Sequence, residues 1–389
     1  MPVSRGPGWG RWNRAQGARS KTEQAETGEI KEEQATRAKV PFDPSHHWTL
    51  IRIFYTLYLL GLLPSRNSSY ICLCICYHGS NTVRARSVET LGSRYMALTN
   101  PTVTTKNSDT GSDERYMYGV SEMQGWRMED AHTTVLKLDS QSNNAFFAVF
   151  DGHGGSTVAK YAGSHVHERL KSDAGYQSKD YKGALKRAFL GTDDDLRADP
   201  AFFHDPSGCT AVAALLTENK ILVVSSKSSV STTSPRILVS GCSRDPLFSC
   251  TDLHSTAETA RITAAGGYVE FNRVNGNLAL SRAIGDFEFK QNYAIQPEQQ
   301  IVTSNPDITE HDITDEDEFI ILACDGIWDC LTSQQVVDCV RRLAAEKKSL
   351  GEICETIMDR CVAPDSDIGA GIGCDNMTIM VVAILNVGP

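Results

Sequence analysis

Four places in the chain set carboxylates where an apolar run begins or ends. The run Ala145–Phe150 stops at Asp151-Gly152, and Phe319–Cys324 stops at Asp325-Gly326. Two further runs start from acidic residues, one near His132 after Glu129-Asp130 and one at Met377 after Asp375-Asn376. A continuous apolar run ending in Asp-Gly reads as a buried strand entering a turn. If the first pair of strands runs antiparallel to the second, all four acidic sites fall at one edge of the sheets. Anions crowded there repel one another unless cations neutralise them. All-oxygen donors select hard ions such as Mg²⁺ or Mn²⁺ over zinc. Taken singly, an Asp-Gly is usually only a turn and a lone histidine such as His153 usually a surface residue. The convergence is what points to chemistry.

The elements that must position these groups can be read from periodicity. Tyr116–Ser121, His132–Leu138, Ala145–Phe150, Thr210–Leu216, Phe319–Cys324 and Met377–Leu385 read as strands. Residues 156–171 and 180–197 carry apolar residues at helical spacing. Capping boxes are expected at Ser255/Glu258, Thr332/Gln335 and Ser349/Glu352, the first opening a helix that stops at Gly266-Gly267. Strands in groups with helices in pairs between them favour a layered α+β domain over an alternating parallel sheet. We expect a non-domain, largely disordered extension over 1–112 and one domain over 113–386, with an atypical segment at 225–254.

Apolar residues make up 41% and charged residues 22% of the 389 residues, which suits a globular domain. The net charge of -10 gives nucleic-acid binding little support. The 12 cysteines include no CxxC pair and read as buried reduced thiols. The apolar run 48–63 contains Arg52 and ends at Pro64. It falls short of the roughly 20 apolar residues of a spanning helix, so membrane attachment is not expected. Cys72, Cys74 and Cys76 are spaced too tightly for a usual zinc site.

The longer motifs resemble those of the type 2C metal-dependent protein serine/threonine phosphatases, the PPM family, and especially its fungal members. The matching segments are YGVSEMQGWRMEDAH (118–132), FFAVFDGHGG (146–155), SGCTAVAALL (207–216), RVNGNLALSRAIGDFEFK (273–290), ILACDGIWD (321–329) and GCDNMTIMVVAIL (373–385). They occur in the family's order. The resemblance implies a four-layer α-β-β-α sandwich of two antiparallel sheets flanked by helices, with two Mg²⁺ or Mn²⁺ ions and a weaker third at one end. It implies that Asp151 bridges two metals, with the Gly152 carbonyl as a further ligand. Asp325 and Asp375 would complete one metal's protein ligands, Glu129 would act through metal-bound water, and Asp329 would hold the extra ion. Asp286, in the RAIGD segment, would only orient its loop. A hydroxide bridging the two metals would attack phosphorus in line. His153 would be the general acid and Arg127 the phosphate-gripping residue. The implied partners are phosphorylated proteins, on a monomer in the cytoplasm, the nucleus or both.

The chain departs from the family pattern in three places. Arg127 and Glu129 are separated by Met128 alone, two residues fewer than usual. A two-residue deletion in a strand shortens the reach by about 7 Å, so either Arg127 misses the phosphate or Glu129 misses the metal water. The stretch 225–254 lacks the expected Gly-Asp-Ser-Arg turn and Asp-His loop, so a hairpin of the sandwich is expected to be damaged. Residues 1–95 have no counterpart. The alternatives are a catalytically impaired binding module of the same fold, or a flawed gene model in which intron or untranslated sequence is read as coding. Full-length cDNA tests the gene-model reading: transcripts are expected to lack parts of 1–95 and 225–254, and transcripts encoding both as written would sink it.

Overall fold

Strands made of unbroken apolar residues need cover on both faces, and the chain supplies it with a second sheet on one side and helices on the other. The computed structural model describes residues 102–202, 204–226, 236–240, 256–363 and 372–385. The apolar run 48–63 and the cysteines at 72, 74 and 76 lie outside them. No helix among the described residues is long and apolar enough to cross a membrane.

Among the described residues the first sheet has the order β1-β2-β13-β12-β7, from Val103–Ser112, Tyr116–Gly125, Met377–Ile384, Phe319–Ala323 and Arg236–Ser240. The second runs β11-β6-β5-β4-β3, from Asp307–Asp312, Lys220–Ser226, Gly208–Leu216, Ala145–His153 and Ala131–Val135. A short strand β10 (Ile284–Gly285) pairs with the start of β5. Every neighbouring pair in these two sheets is antiparallel.

Side chains alternate across each strand, and β4 shows what that does. Ala145, Phe147 and Val149 face the other sheet, where they meet Tyr118, Ile320, Leu322, Met380 and Val382. Phe146, Ala148 and Phe150 face helices α1 (Thr157–Ser172) and α3 (Tyr181–Ala198), meeting Ala162, Val166 and Phe189. A short helix α2 (Ala174–Gln177) joins these two. On the far side α6 (Ser333–Ala345) and α7 (Leu350–Cys361) cover the first sheet, with Val340, Leu343, Ile353 and Ile357 against Ile321, Ile379 and Val381. Both helices start with the capping boxes expected at Thr332/Gln335 and Ser349/Glu352. The result is the four-layer sandwich that the motifs implied.

Several boundaries differ from those read in the sequence. β1 belongs to the first sheet, so the structured domain begins before residue 113. Its sequence, VTTKNSDTGS, is polar because it is a largely exposed edge strand paired only with β2. β4 continues through Asp151 and Gly152 to His153, because β5 keeps pairing with it, Asp151 opposite Thr210 and His153 opposite Gly208. Asp325-Gly326 does not make a turn but opens a one-turn helix α5 (Asp325–Trp328). Within the atypical segment, Arg236–Ser240 pairs with β12 as an edge strand, so that part of the sandwich is intact. Residues 227–235 and 241–255, Ser255 of the third capping box included, lie outside the described residues.

A small lobe carries α4 (Thr256–Ala264), a hairpin of β8 (Val269–Glu270) and β9 (Arg273–Val274), and a core of Ile262, Val274, Ala283, Phe289 and Val302. Glu258 ties it down. Its carboxylate accepts from Arg261 at 2.7 Å, from Arg282 at 2.8 Å and from the Ser281 hydroxyl at 2.5 Å. Burial alone would raise its pKa, but the Arg282 and Arg261 hydrogen bonds prevail and pull it down to about 2. A depressed carboxylate gives stability that is present above its unfolded pKa near 4.5 and lost as the pH falls toward 2. Glu258→Gln takes the anion from the half-buried Arg261 and leaves Arg282 with Asp307, 2.7 Å away. Urea unfolding should show a loss of about 3 kcal/mol at pH 7, with the gap to the parent chain narrowing below pH 4.5.

Candidate active site

All four acidic positions fall at one end of the sandwich, because β3 runs antiparallel to β4 and β12 antiparallel to β13. Asp151 sits in the last pairs of β4, Asp325 directly after β12, Asp375 directly before β13, and Glu129-Asp130 directly before β3. The site therefore straddles the two sheets: Asp151 belongs to one, Asp325 and Asp375 to the other.

The glycines of the two Asp-Gly pairs allow this approach. Neither Gly152 nor Gly326 has a positive φ. A Cβ on Gly152 would lie 2.2 Å from the Glu129 carbonyl oxygen, and one on Gly326 would lie 2.2 Å from that of Asn376. Each glycine removes a side chain where another acid-bearing segment must pass. The backbone N–H of Asp325 reaches Asp151 Oδ2 at 3.5 Å across the seam.

The carboxylates disturb one another. Asp375 is exposed as a residue, yet protein atoms crowd its carboxyl. That burial and then the Asp325 charge push its pKa up to about 6. Asp130 is fully buried and is driven well above the usual range by burial, with Asp325 and Asp375 adding to the shift despite a hydrogen bond from the Thr378 hydroxyl at 2.7 Å. Glu129 is raised by burial, against the opposing charges of Arg127 and His153. Buried Glu129 Oε1 and Asp130 Oδ1 have no hydrogen-bond partner, an arrangement that costs free energy unless something else supplies positive charge.

Such a set suits hard divalent cations: every donor is an oxygen, and the charge is in excess. Among the described residues no three His, Cys, Asp or Glu side chains are drawn into a closed cage. The acids are electrostatic neighbours around a shared space. Asp329 is exposed at the C-terminal end of α5, one turn after Asp325.

His153 and Arg127 flank the acids. His153 Nε2 lies 2.8 Å from Asp286 Oδ2. Burial would lower the histidine's pKa, but the Asp286 charge and hydrogen bond outweigh it and the net shift is upward. Sequence reading gave Asp286 only a loop-orienting role. The contact spans 133 positions, and no local pattern announces it. Arg127 is 68% exposed, with Nε 3.5 Å from Glu129 Oε1. The seven-ångström shortening does not apply, because Trp126–Asp130 is irregular rather than strand. That segment is pinned by Trp126 N–H to the Cys374 carbonyl at 3.0 Å and by the Asn376 amide to the Arg127 carbonyl at 2.8 Å. Arg127 and Glu129 thus stand together at the rim.

The cysteines do not compete for this chemistry. All seven in the described part are free thiols. Cys324, next to Asp325, has its pKa pushed well up by burial and by the charges of Asp130, Asp151 and Asp325, which makes it a poor nucleophile.

The two antiparallel sheets bring acids together at one end of the sandwich, and comparison with known proteins gives the family. The family model described as "Protein phosphatase 2C" matches residues 116–367. "Protein phosphatase 2C homolog 2" of Aspergillus fumigatus is 48% identical over 72% of this chain and 67% of its own length. "Protein phosphatase 2C homolog 2" of Schizosaccharomyces pombe is 49% identical over 72% and 76%. A solved serine-threonine phosphatase 2C from Toxoplasma gondii superposes with a TM-score of 0.60 at 20% identity, over 72% of this chain and all of that one, and shows the fold alone. The chain belongs to the protein phosphatase 2C family, a class of protein serine/threonine phosphatases, and its similarity to fungal members is high.

Charge crowding at the site makes a thermal prediction. Asp375→Asn removes one of the mutually repelling charges, so in EDTA at pH 7.5 the variant should melt at or above the parent temperature. Mn²⁺ should raise the melting temperature of the parent chain and leave that of the variant nearly unchanged. Equal Mn²⁺ responses would remove Asp375 from the candidate ligands.

Proposed function

We propose that this chain hydrolyses phosphoserine and phosphothreonine in proteins, using two Mg²⁺ or Mn²⁺ ions at the end of the sandwich. The observation that carries the reading is the convergence of Asp151, Asp325 and Asp375 from two sheets, beside buried carboxylate oxygens of Glu129 and Asp130 that lack hydrogen-bond partners. Asp151, the Gly152 carbonyl, Asp325 and Asp375 would hold the ions, with Glu129 acting through water and Asp329 holding a weaker third. When bound, such ions lower the pKa of water and supply hydroxide near neutral pH.

The other residues handle the substrate. Arg127, exposed at the rim, offers a guanidinium fork to the phosphate oxygens. Its Nε lies 3.5 Å from Glu129 Oε1. A serine or threonine alkoxide is a poor leaving group and needs a proton, which His153 would give. Phosphorylated proteins are the substrates under this reading, acted on by a monomer in the cytoplasm or nucleus.

Purified protein should release phosphate from a phosphothreonine peptide only with Mn²⁺ or Mg²⁺ present. Asp151→Asn should lower kcat/KM by at least about 100-fold. Full rate in that variant would refute the two-ion assignment. Cation binding without any phosphate release by the parent chain would favour a binding module of the same fold.

A further inference from the structure

The contact between His153 and Asp286 is built from three distant segments. Asp286 is 6% exposed and follows β10, whose Gly285 pairs with Gly208 of β5. Its backbone N–H donates to the Ser207 carbonyl at 3.4 Å, and it adopts a left-handed φ of 50°. Behind it, Asp193 of α3 accepts the Gly285 N–H at 2.8 Å and Lys290 Nζ at 2.7 Å, and Lys290 also donates to the Ala283 carbonyl at 2.8 Å. The Lys290 and Asp193 side chains are 1% and 4% exposed. In front of it, Gly208 leaves the space the pair occupies: a Cβ there would lie 2.4 Å from Asp286 Oδ2 and 2.7 Å from His153 Nε2. A buried ion pair adds little stability for the desolvation it costs. Here the Asp193–Lys290 pair fixes the loop that aims one carboxylate at one ring nitrogen.

We propose that Asp286 is a positioning residue for the reaction, holding His153 in the tautomer with its proton on Nε2, and that Asp193 and Lys290 hold Asp286 in turn. The inference rests on the phosphatase reading above. A carboxylate only accepts, so Nε2 carries the shared hydrogen and Nδ1 is the nitrogen left to serve the substrate. In the reaction a water oxygen forms the new bond to phosphorus. The bond from phosphorus to the serine or threonine oxygen breaks, and its electron pair goes to that oxygen. The Nδ1 proton of the imidazolium passes to the same oxygen. The ring is left neutral with its remaining proton on Nε2, still bonded to Asp286. Without that acceptor the neutral ring can keep its proton on Nδ1 instead, and its orientation is no longer fixed.

The test compares two leaving groups. p-Nitrophenolate needs no proton to depart, whereas a threonine alkoxide does. Asp286→Gly removes the acceptor and tolerates the left-handed backbone. It should lower kcat on a phosphothreonine peptide by about 10- to 100-fold with little change in KM. Its effect on p-nitrophenyl phosphate should be smaller by at least about 5-fold, because general-acid help is what is lost. Asp286→Asn, which can still accept through its amide oxygen, should retain more of the peptide rate than the glycine variant. In a His153→Gln background, Asp286→Gly should have no further effect on kcat. Equal losses on both substrates, or full additivity with His153→Gln, would overturn the proposal. Imidazole ¹⁵N shifts give a readout independent of turnover: Nε2–H in the parent chain, lost in Asp286→Gly. An unchanged tautomer in that variant would also overturn it. A parent chain inactive on both substrates would instead sink the phosphatase reading, while the nitrogen shifts still decide whether Asp286 sets the tautomer.

Discussion

Like charges brought together at one end of an apolar sandwich are the constraint on which the rest of this structure depends. Asp375 is pushed up by crowding and by Asp325, and Asp130 by its full burial. Folding alone does not relieve that repulsion, so the framework around it must be rigid enough to hold the acids where they would not stay by themselves. The strands do this because they continue into the site. β4 is still paired with β5 at His153, and the first pair of β13, Met377 with Met123, lies two residues from Asp375.

The helices brace these strands from outside. The central strands of each sheet are buried on both faces, with Phe147 and Val149 on the inner side of β4 and Phe146 and Phe150 under α1 and α3. Close packing of this kind resists small displacements. Glycine supplies the complementary device. At Gly152 and Gly326 the missing side chain lets acid-bearing backbones pass within contact. Rigidity from bulky residues and proximity from absent ones are both needed, and they alternate within a few positions of the same strands.

What the sequence disclosed follows from where the information lies. Ala145–Phe150 and Phe319–Cys324 are apolar because both faces are covered, so their existence and their acidic ends were legible. β1 was not, because an exposed edge strand has no need of apolar residues and VTTKNSDTGS looks like a loop. The expected shortening between Arg127 and Glu129 assumed a strand where the backbone is irregular. The Asp286 contact was illegible for a different reason: it depends on Gly208 leaving space and on Asp193 and Lys290 meeting in the interior. Acids at strand ends announce themselves by position, whereas a partner brought in from 133 residues away is visible only once the chain is folded.

The placement of the acids on both sheets has a mechanical consequence. The layer between the sheets is made of aliphatic and aromatic side chains such as Val149, Val212, Leu322 and Val382. Contacts of that sort are non-directional, so they oppose separation of the two sheets more than sliding of one over the other. A cation gripped by Asp151 from one side and by Asp325 and Asp375 from the other would act as a rivet at the end of a laminate. It would oppose shear where the oily layer does not. Substrate chemistry and the alignment of the two plies would then share a single fastening point.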